Sequence, residues 1–230
     1  MSRLLATIRC DITLQLRNGF YAATIVVTAL WALVLLRAGA LDLRWLLPPM
    51  LVGNLLLGTF FFLGAQVLLE RGEGTLTAQV VSPLRAREYL CSKAITLSAL
   101  ALLEALVLTP ILSGWRFNGA LLVAGVLLAA AIYCLAGFIA VARYDSINSY
   151  LLPAGAYVSA LWLPLLAYLA QWQPWPLYLH PLSGPLLLVQ AAFEPVMPGR
   201  LLAGFAGSLV WLGLLGLGSR RAFARWMIVR

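Results

Sequence analysis

Apolar residues arrive along this chain in six long runs, at about 20–36, 45–69, 89–112, 120–141, 150–170 and 201–217. A helix needs about 20 mostly apolar residues to cross a bilayer, and most of these runs meet that length. The pattern therefore predicts an all-α, polytopic membrane protein with six transmembrane helices. Pro153 and Pro164 fall inside the fifth run. A proline there removes a helical hydrogen bond and leaves a carbonyl that a neighbour must satisfy. Asn54, Thr59 and Gln66 recur along the second run, and Tyr133 and Ser159 lie in later ones, so a shared polar interface is expected.

Two further segments break the six-run pattern. In residues 1–18, Leu4, Leu5, Ile8, Ile12 and Leu16 recur at helical spacing, while Arg3, Thr7, Asp11 and Gln15 mostly fall on other faces. This predicts an amphipathic helix lying in the inner membrane interface. The competing reading, a signal peptide cleaved after residues 38–40, is disfavoured by a long polar start and by Arg37 close to the site. Residues 171–200 carry Trp172, Pro174, Trp175 and Pro176, then turn apolar over 185–193. Trp and Tyr favour the bilayer interface, and the apolar part is too short to span. It reads as a re-entrant or interfacial hairpin on the outer side, between spans five and six.

Composition supports a single transmembrane domain over 1–230. The chain is 63% hydrophobic and 10% charged, against about 25% charged residues in a soluble domain. No gap between runs exceeds about 30 residues, below the size at which a domain normally folds alone. The formal net charge is +8. No basic run is interleaved with aromatics on a polar scaffold, so nucleic acid is not an expected partner. With the N-terminus inside, twelve Lys and Arg residues fall on the cytoplasmic side and four on the outer side. The positive-inside rule then places both termini in the cytoplasm, and membrane lipid is the surrounding partner. Cys10, Cys91 and Cys134 show no metal spacing and no disulfide framework.

The densest charge lies between the second and third runs, in Glu70 to Lys93, read as ERGEGTLTAQVVSPLRAREYLCSK. Gly72 and Gly74 permit a sharp turn at the end of the second span. Thr75 is placed to cap a short helix, which Ser82-Pro83 would end. The chemistry fits either a docking peg for a cytoplasmic partner or a solvated loop obeying the positive-inside rule. The order of residues separates the two. Glu70-x-x-Glu73-Gly74-Thr75-Leu76, then Ser82-Pro83-Leu84, then Tyr89-Leu90 and Lys93, resembles the signature of ABC-2 type transporter permeases. Thr77 and Gly72 depart from residues frequent in that family. The resemblance covers the whole layout but is strong at residue level only over 70–93.

That resemblance implies a cytoplasmic coupling helix over 73–81, seated in a cleft of a separate ABC ATPase subunit. Glu70, Glu73, Gly74, Thr75, Leu76, Val80, Ser82, Pro83, Leu84 and Lys93 would then be the ATPase-coupling residues, with the two glutamates pairing with basic groups of the ATPase. No G-x-x-x-x-G-K-[ST] run occurs, so the chain is read as a permease and not an enzyme. It is expected to bind no cofactor and no metal, with ATP and Mg on the partner. A second permease copy, or a different permease chain, would complete the transporter in the cytoplasmic membrane.

Glu104 is the acidic residue inside a span, where a carboxylate costs about 2.5–3.5 kcal/mol on insertion scales. Glu104, Asn54 and Gln66 form the candidate substrate path, against the more economical reading of a structural hydrogen bond from Glu104 to Asn54 or Gln66. His180 stands alone in the outer loop and reads as interfacial. Asp145, after Arg143, reads as a helix cap or local ion pair. An intramembrane protease is disfavoured, since the sole His lies outside the spans and no span carries Asp. The remaining rivals are a non-transporting scaffold subunit and a permease for a glycan or haem-like substrate. The aromatic outer loop and the low charge of the spans point instead to a hydrophobic or amphipathic cargo, such as a drug, a lipid-like molecule or a peptide antibiotic, and the family resemblance implies that it moves outward.

Overall fold

The computed structural model describes residues 3–37, 44–75, 85–172 and 174–228. Its regular structure is all helical, with no strand among the described residues. Helix α1 (Arg3–Arg17) turns by 62° into α2 (Phe20–Arg37), and Gly19 at the corner has φ +75°. A 3-10 turn (Arg44–Leu46) leads into α3 (Leu47–Leu55), a π-helical segment (Leu56–Phe61) and α4 (Phe62–Gly72). Then follow α5 (Ala86–Ser113), α6 (Gly119–Val141), α7 (Ile147–Leu169), a 3-10 turn (Trp175–Leu179), α8 (Ser183–Ala191), α9 (Pro198–Phe223) and a closing π turn (Ala224–Ile228). Five stretches are long and apolar enough to cross a membrane, or six if the bent pair of α1 and α2 is one span. The six apolar runs thus reappear as helices. The last continues past Leu217 because nothing in Gly218 to Phe223 breaks a helix where apolar residues stop.

The bundle is built around α6, which packs against α5, α8, α9 and the π segment. Its buried side chains include Leu122, Val126, Ile132, Tyr133, Phe138 and Val141. Close approach is possible because small residues face the neighbours. A Cβ on Gly125 would lie 2.7 Å from Val189 Cγ2 and 2.9 Å from Val189 N, so α8 presses directly on the α6 backbone.

Helix α1 shows which of its faces meets the protein. Asp11 and Gln15 are buried, while Leu5 and Leu16 are exposed. The helix packs against α5 with Asp11 and Gln15 inward, while Arg3, Arg9 and Thr13 are exposed and Leu4, Ile8 and Ile12 are half-buried. In a membrane this is economical, since lipid accepts leucine and only the protein interior offers partners to a carboxylate.

The stretch between α7 and α9 is held by two side-chain ties. Pro164 has no N–H, so the Ala160 carbonyl lacks its helical donor. The freed carbonyl accepts from His180 Nε2 at 3.1 Å, and His180 Nδ1 accepts from Leu182 N–H at 3.2 Å. On the other side Trp211 Nε1 donates to the Leu179 carbonyl at 2.8 Å. His180 is therefore not an isolated interfacial residue, as its sequence context implied. It answers the proline of the neighbouring helix. The two partners fix the neutral tautomer with its proton on Nε2. Burial holds its pKa below the ordinary 6.5, and the bond to Ala160 only partly offsets this. The unfolded chain therefore binds more protons than the native one in acid, so the tie is complete above about pH 6.5 and weakens as pH falls. Hydrogen exchange over residues 174–191, corrected for intrinsic rates, is expected to rise between pH 7.5 and pH 5 in wild type. In His180→Gln it should not change with pH, and a wild-type profile flat with pH would refute the tie.

Other expectations need correction. Gly74, with φ +71°, makes the turn after α4, whereas Gly72 is still helical. Thr75 Oγ1 donates back to the Glu70 carbonyl at 3.1 Å. Asp145 pairs with Arg71 at 2.8 Å rather than with Arg143, and Ser146 caps α7. The polar residues of the spans do not share one interface: Ser159 is exposed and bonds its own helix, and the Tyr133 hydroxyl is buried without a hydrogen-bond partner among the described residues.

Candidate functional site

Where α1, α4 and α5 meet, eight polar side chains form one buried network. Lys93 Nζ lies 2.9 Å from Asp11 Oδ1 and 2.5 Å from Glu70 Oε1, and all three side chains are about 1% exposed. Tyr89 sits one turn before Lys93 on α5. Its hydroxyl donates to Glu70 Oε2 at 2.8 Å, and the ammonium lies 4.5 Å from its ring centroid. Ser92 donates to the second oxygen of Asp11, and Gln66 donates to Asp11 Oδ1 at 2.8 Å. Gln15 extends the network to Gln66 and to Thr96. Two carboxylates share one ammonium, so the remaining negative charge rests on these neutral donors. Hydrogen bonds to charged groups contribute about 1.5–3 kcal/mol each.

The residues entering the 76–84 loop are each tied to different parts of the fold. Glu70 binds α1 through Lys93 and Asp11. Arg71 reaches the α6–α7 turn, donating to the carbonyls of Ala142 and Tyr144 and pairing with Asp145, and it also reaches the Trp226 carbonyl near the C-terminus. Glu73 receives both 2.8 Å bonds from Arg17 at the end of α1. That last pair is more than a third exposed on each side, which limits it to about 1 kcal/mol. At the far end of the loop, Glu88 accepts from the Arg85 N–H at 2.8 Å and fixes the start of α5. The Ser92 hydroxyl, beside the Asp11 carboxylate that also holds Lys93, is fully buried within the network. Among the described residues no group of His, Cys, Asp and Glu could hold a metal ion. The arrangement ties residues 70–73 to α1, α5, the α6–α7 turn and the Trp226 carbonyl.

Glu70 is thus a core residue. It is not placed to pair with basic groups of another protein, as the sequence reading expected of it, and Glu73 already has Arg17. Leu76, Val80, Ser82, Pro83 and Leu84, with most of the expected coupling helix, lie outside the described residues. The sequence reading missed Asp11, Gln15, Arg71, Tyr89, Ser92 and Thr96 as members of this site. The available signal was Lys93 itself: a lysine four residues into an apolar run needs a buried carboxylate, and Asp11 with Gln15 gives two polar groups one helical turn apart.

A second polar cluster lies deeper. Glu104 Oε1 accepts from Asn54 Nδ2 at 2.6 Å and from Thr28 Oγ1 at 3.1 Å. A Cβ on Gly58, within the π segment, would lie 3.6 Å from Glu104 Oε2. The structure joins Glu104 to Asn54 and places Gln66 elsewhere, in the Lys93 network.

Five or six long apolar helices make this a multi-pass membrane protein, and with the order of residues from Glu70 to Lys93 they define an ABC-2-type transmembrane permease. A model of the fluoroquinolones export permease protein family matches residues 2–230. Fluoroquinolones export permease proteins of Mycobacterium tuberculosis strains CDC 1551 and H37Rv are each 33% identical to this chain over 234 positions, covering 100% of it and 98% of themselves. The chain belongs to that family and is a membrane transport permease.

Proposed function

We propose that this chain is the membrane subunit of an ATP-driven exporter, moving fluoroquinolone-type drugs outward across the cytoplasmic membrane. The names of its relatives supply the drug class. The observation that carries the mechanism is the rooting of the 76–84 loop. Glu70, Arg71 and Glu73 connect it to α1, α5, the α6–α7 turn and the C-terminus, so a push on the loop reaches the bundle as a whole. The loop is the cytoplasmic coupling helix of this reading, with both termini on the same side, and Leu76 and Val80 fill a groove of the ATPase. ATP and Mg belong to that partner. Exposed apolar faces on α2 and α9, including Ile25, Leu30, Leu202 and Val210, meet lipid or a second permease chain.

The chain, tagged and purified from its native membranes, is expected to bring down an ABC ATPase. Inside-out vesicles holding the pair should accumulate norfloxacin only with ATP. Burying an aliphatic side chain is worth about 1.5–3 kcal/mol, so Leu76→Asp should cut ATPase retention at least about tenfold while the chain still melts as wild type. Full retention by Leu76→Asp would refute the coupling helix. Absence of both an ATPase and ATP-dependent uptake would instead favour a scaffold subunit.

A further inference from the structure

A cavity of about 590 Å³ lies beneath the α7–α9 hairpin, at the end of the bundle opposite α1. Its floor is α9, where Ala203, Gly204 and Gly207 face it, with Val210 and Trp211 one turn further on. The hollow exists because this face of α9 carries hydrogen or methyl groups where larger side chains would fill the space. Pro164 and Tyr168 of α7 form one wall, and Tyr178 and His180 belong to the roof. The His180 and Trp211 nitrogens are already spent on backbone groups. Three polar side chains of the lining are uncommitted: none of Tyr168, Gln190 and Arg200 has a side-chain hydrogen bond or ion pair among the described residues. No carboxylate lines the cavity. Glu194, the one acidic residue of the hairpin, is exposed and is not part of the lining.

These features select a ligand by chemistry. The volume falls within the roughly 300–1,000 Å³ of drug-sized sites, and it is too small for a phospholipid with two acyl chains. Tyr168 and Trp211 offer ring faces and edges to a flat aromatic body. A single guanidinium at the edge of an apolar, aromatic hollow matches a planar carboxylate, which it can hold through two parallel hydrogen bonds. A cationic ligand would meet Arg200 with nothing to offset it.

We propose that this cavity binds a drug-sized aromatic carboxylate, with its ring system against Tyr168 and Trp211 and its carboxylate on Arg200. The proposal rests on the export reading for its biological meaning and sharpens it: the recognised form of the cargo is the acid, held at the hairpin end of the bundle.

Binding is tested on the purified chain alone, in discs of phosphatidylcholine, by the intrinsic fluorescence of flumequine, a fluoroquinolone acid without a basic amine, and of its methyl ester. Wild type is expected to bind the acid at least about tenfold more tightly than the ester. Arg200→Gln should bind both at the ester's level. A Cβ on Gly207 has nothing within 4 Å, so substitution there adds bulk to the cavity without a backbone clash. Gly207→Phe should abolish saturable binding of both ligands while the protein melts as wild type, and Gly207→Ala should retain it. Equal binding of acid and ester, or unchanged binding in Gly207→Phe, overturns the proposal. So does displacement of flumequine by phosphatidylglycerol in an Arg200-dependent way, which would assign the site to an anionic lipid. Because the assay needs neither ATPase nor transport, the two readings fail separately. Drug binding without ATP-dependent uptake would overturn export, and export without Arg200- and Gly207-dependent binding would overturn the cavity.

Discussion

Lys93→Met is expected to destabilise the protein by about 3–5 kcal/mol, the cost of leaving a buried charge without its partner. Methionine fills most of the lysine's volume, so packing is nearly kept and charge is what changes. Asp11 and Glu70 would remain buried, facing each other's charge across the vacated position, with only Tyr89, Ser92 and Gln66 as donors. The check is the thermal transition of the variant in discs, set beside Lys93→Met combined with Asp11→Asn and Glu70→Gln. The triple variant removes the charge altogether and should recover much of the loss, since a neutral, hydrogen-bonded core can be as stable as an ionic one. A Lys93→Met protein that melts like wild type would mean that the two carboxylates are not charged in the native state. The same single variant should also lose transport, because α1 and the root of the loop are joined through this lysine.

Gly184→Ala is the second large effect expected. A Cβ there would lie 2.2 Å from the Gly204 carbonyl oxygen and 2.4 Å from Ser208 Oγ. The serine can rotate, but the carbonyl belongs to the α9 backbone, so α8 itself must move away. Overpacking of this kind costs about 1–3 kcal/mol, and here it also parts the helices that floor and roof the cavity. Gly199→Ala and Gly207→Ala, each with nothing within 4 Å, serve as controls and should be neutral or slightly stabilising. Melting temperatures of the three variants decide the matter. Gly184→Ala melting with the two controls would show that α8 and α9 do not meet as tightly as described.

Much of the fold was legible because the bilayer imposes a simple rule on sequence. An apolar run of about 20 residues has few alternatives to a helix, so spans and bundle class follow from counting. The loop between spans two and three was legible for a different reason, as an ordered set of residues with a family resemblance. The roles inside that set were not legible. Glu70 looks like a surface charge in a polar loop, yet α4 carries it one turn into the core, where Lys93 and Asp11 enclose it. Helix α1 shows the same limit. Its periodicity gave a helix with one apolar and one polar face, but a period cannot say which face meets the protein. In water the apolar face turns inward; in lipid the polar one does.

The sequence by itself determined an all-helical, six-run membrane chain, its family and the charged segment between the second and third runs, since length, hydropathy and residue order are local properties. The tertiary structure alone decided that Asp11, 82 positions before Lys93, completes the charge network. It alone decided that His180 answers the carbonyl freed by Pro164, and that three small residues of α9 leave a hollow beside Arg200. Each of these depends on which helix faces which, and that is settled by close packing and by the need of every buried polar group for a partner.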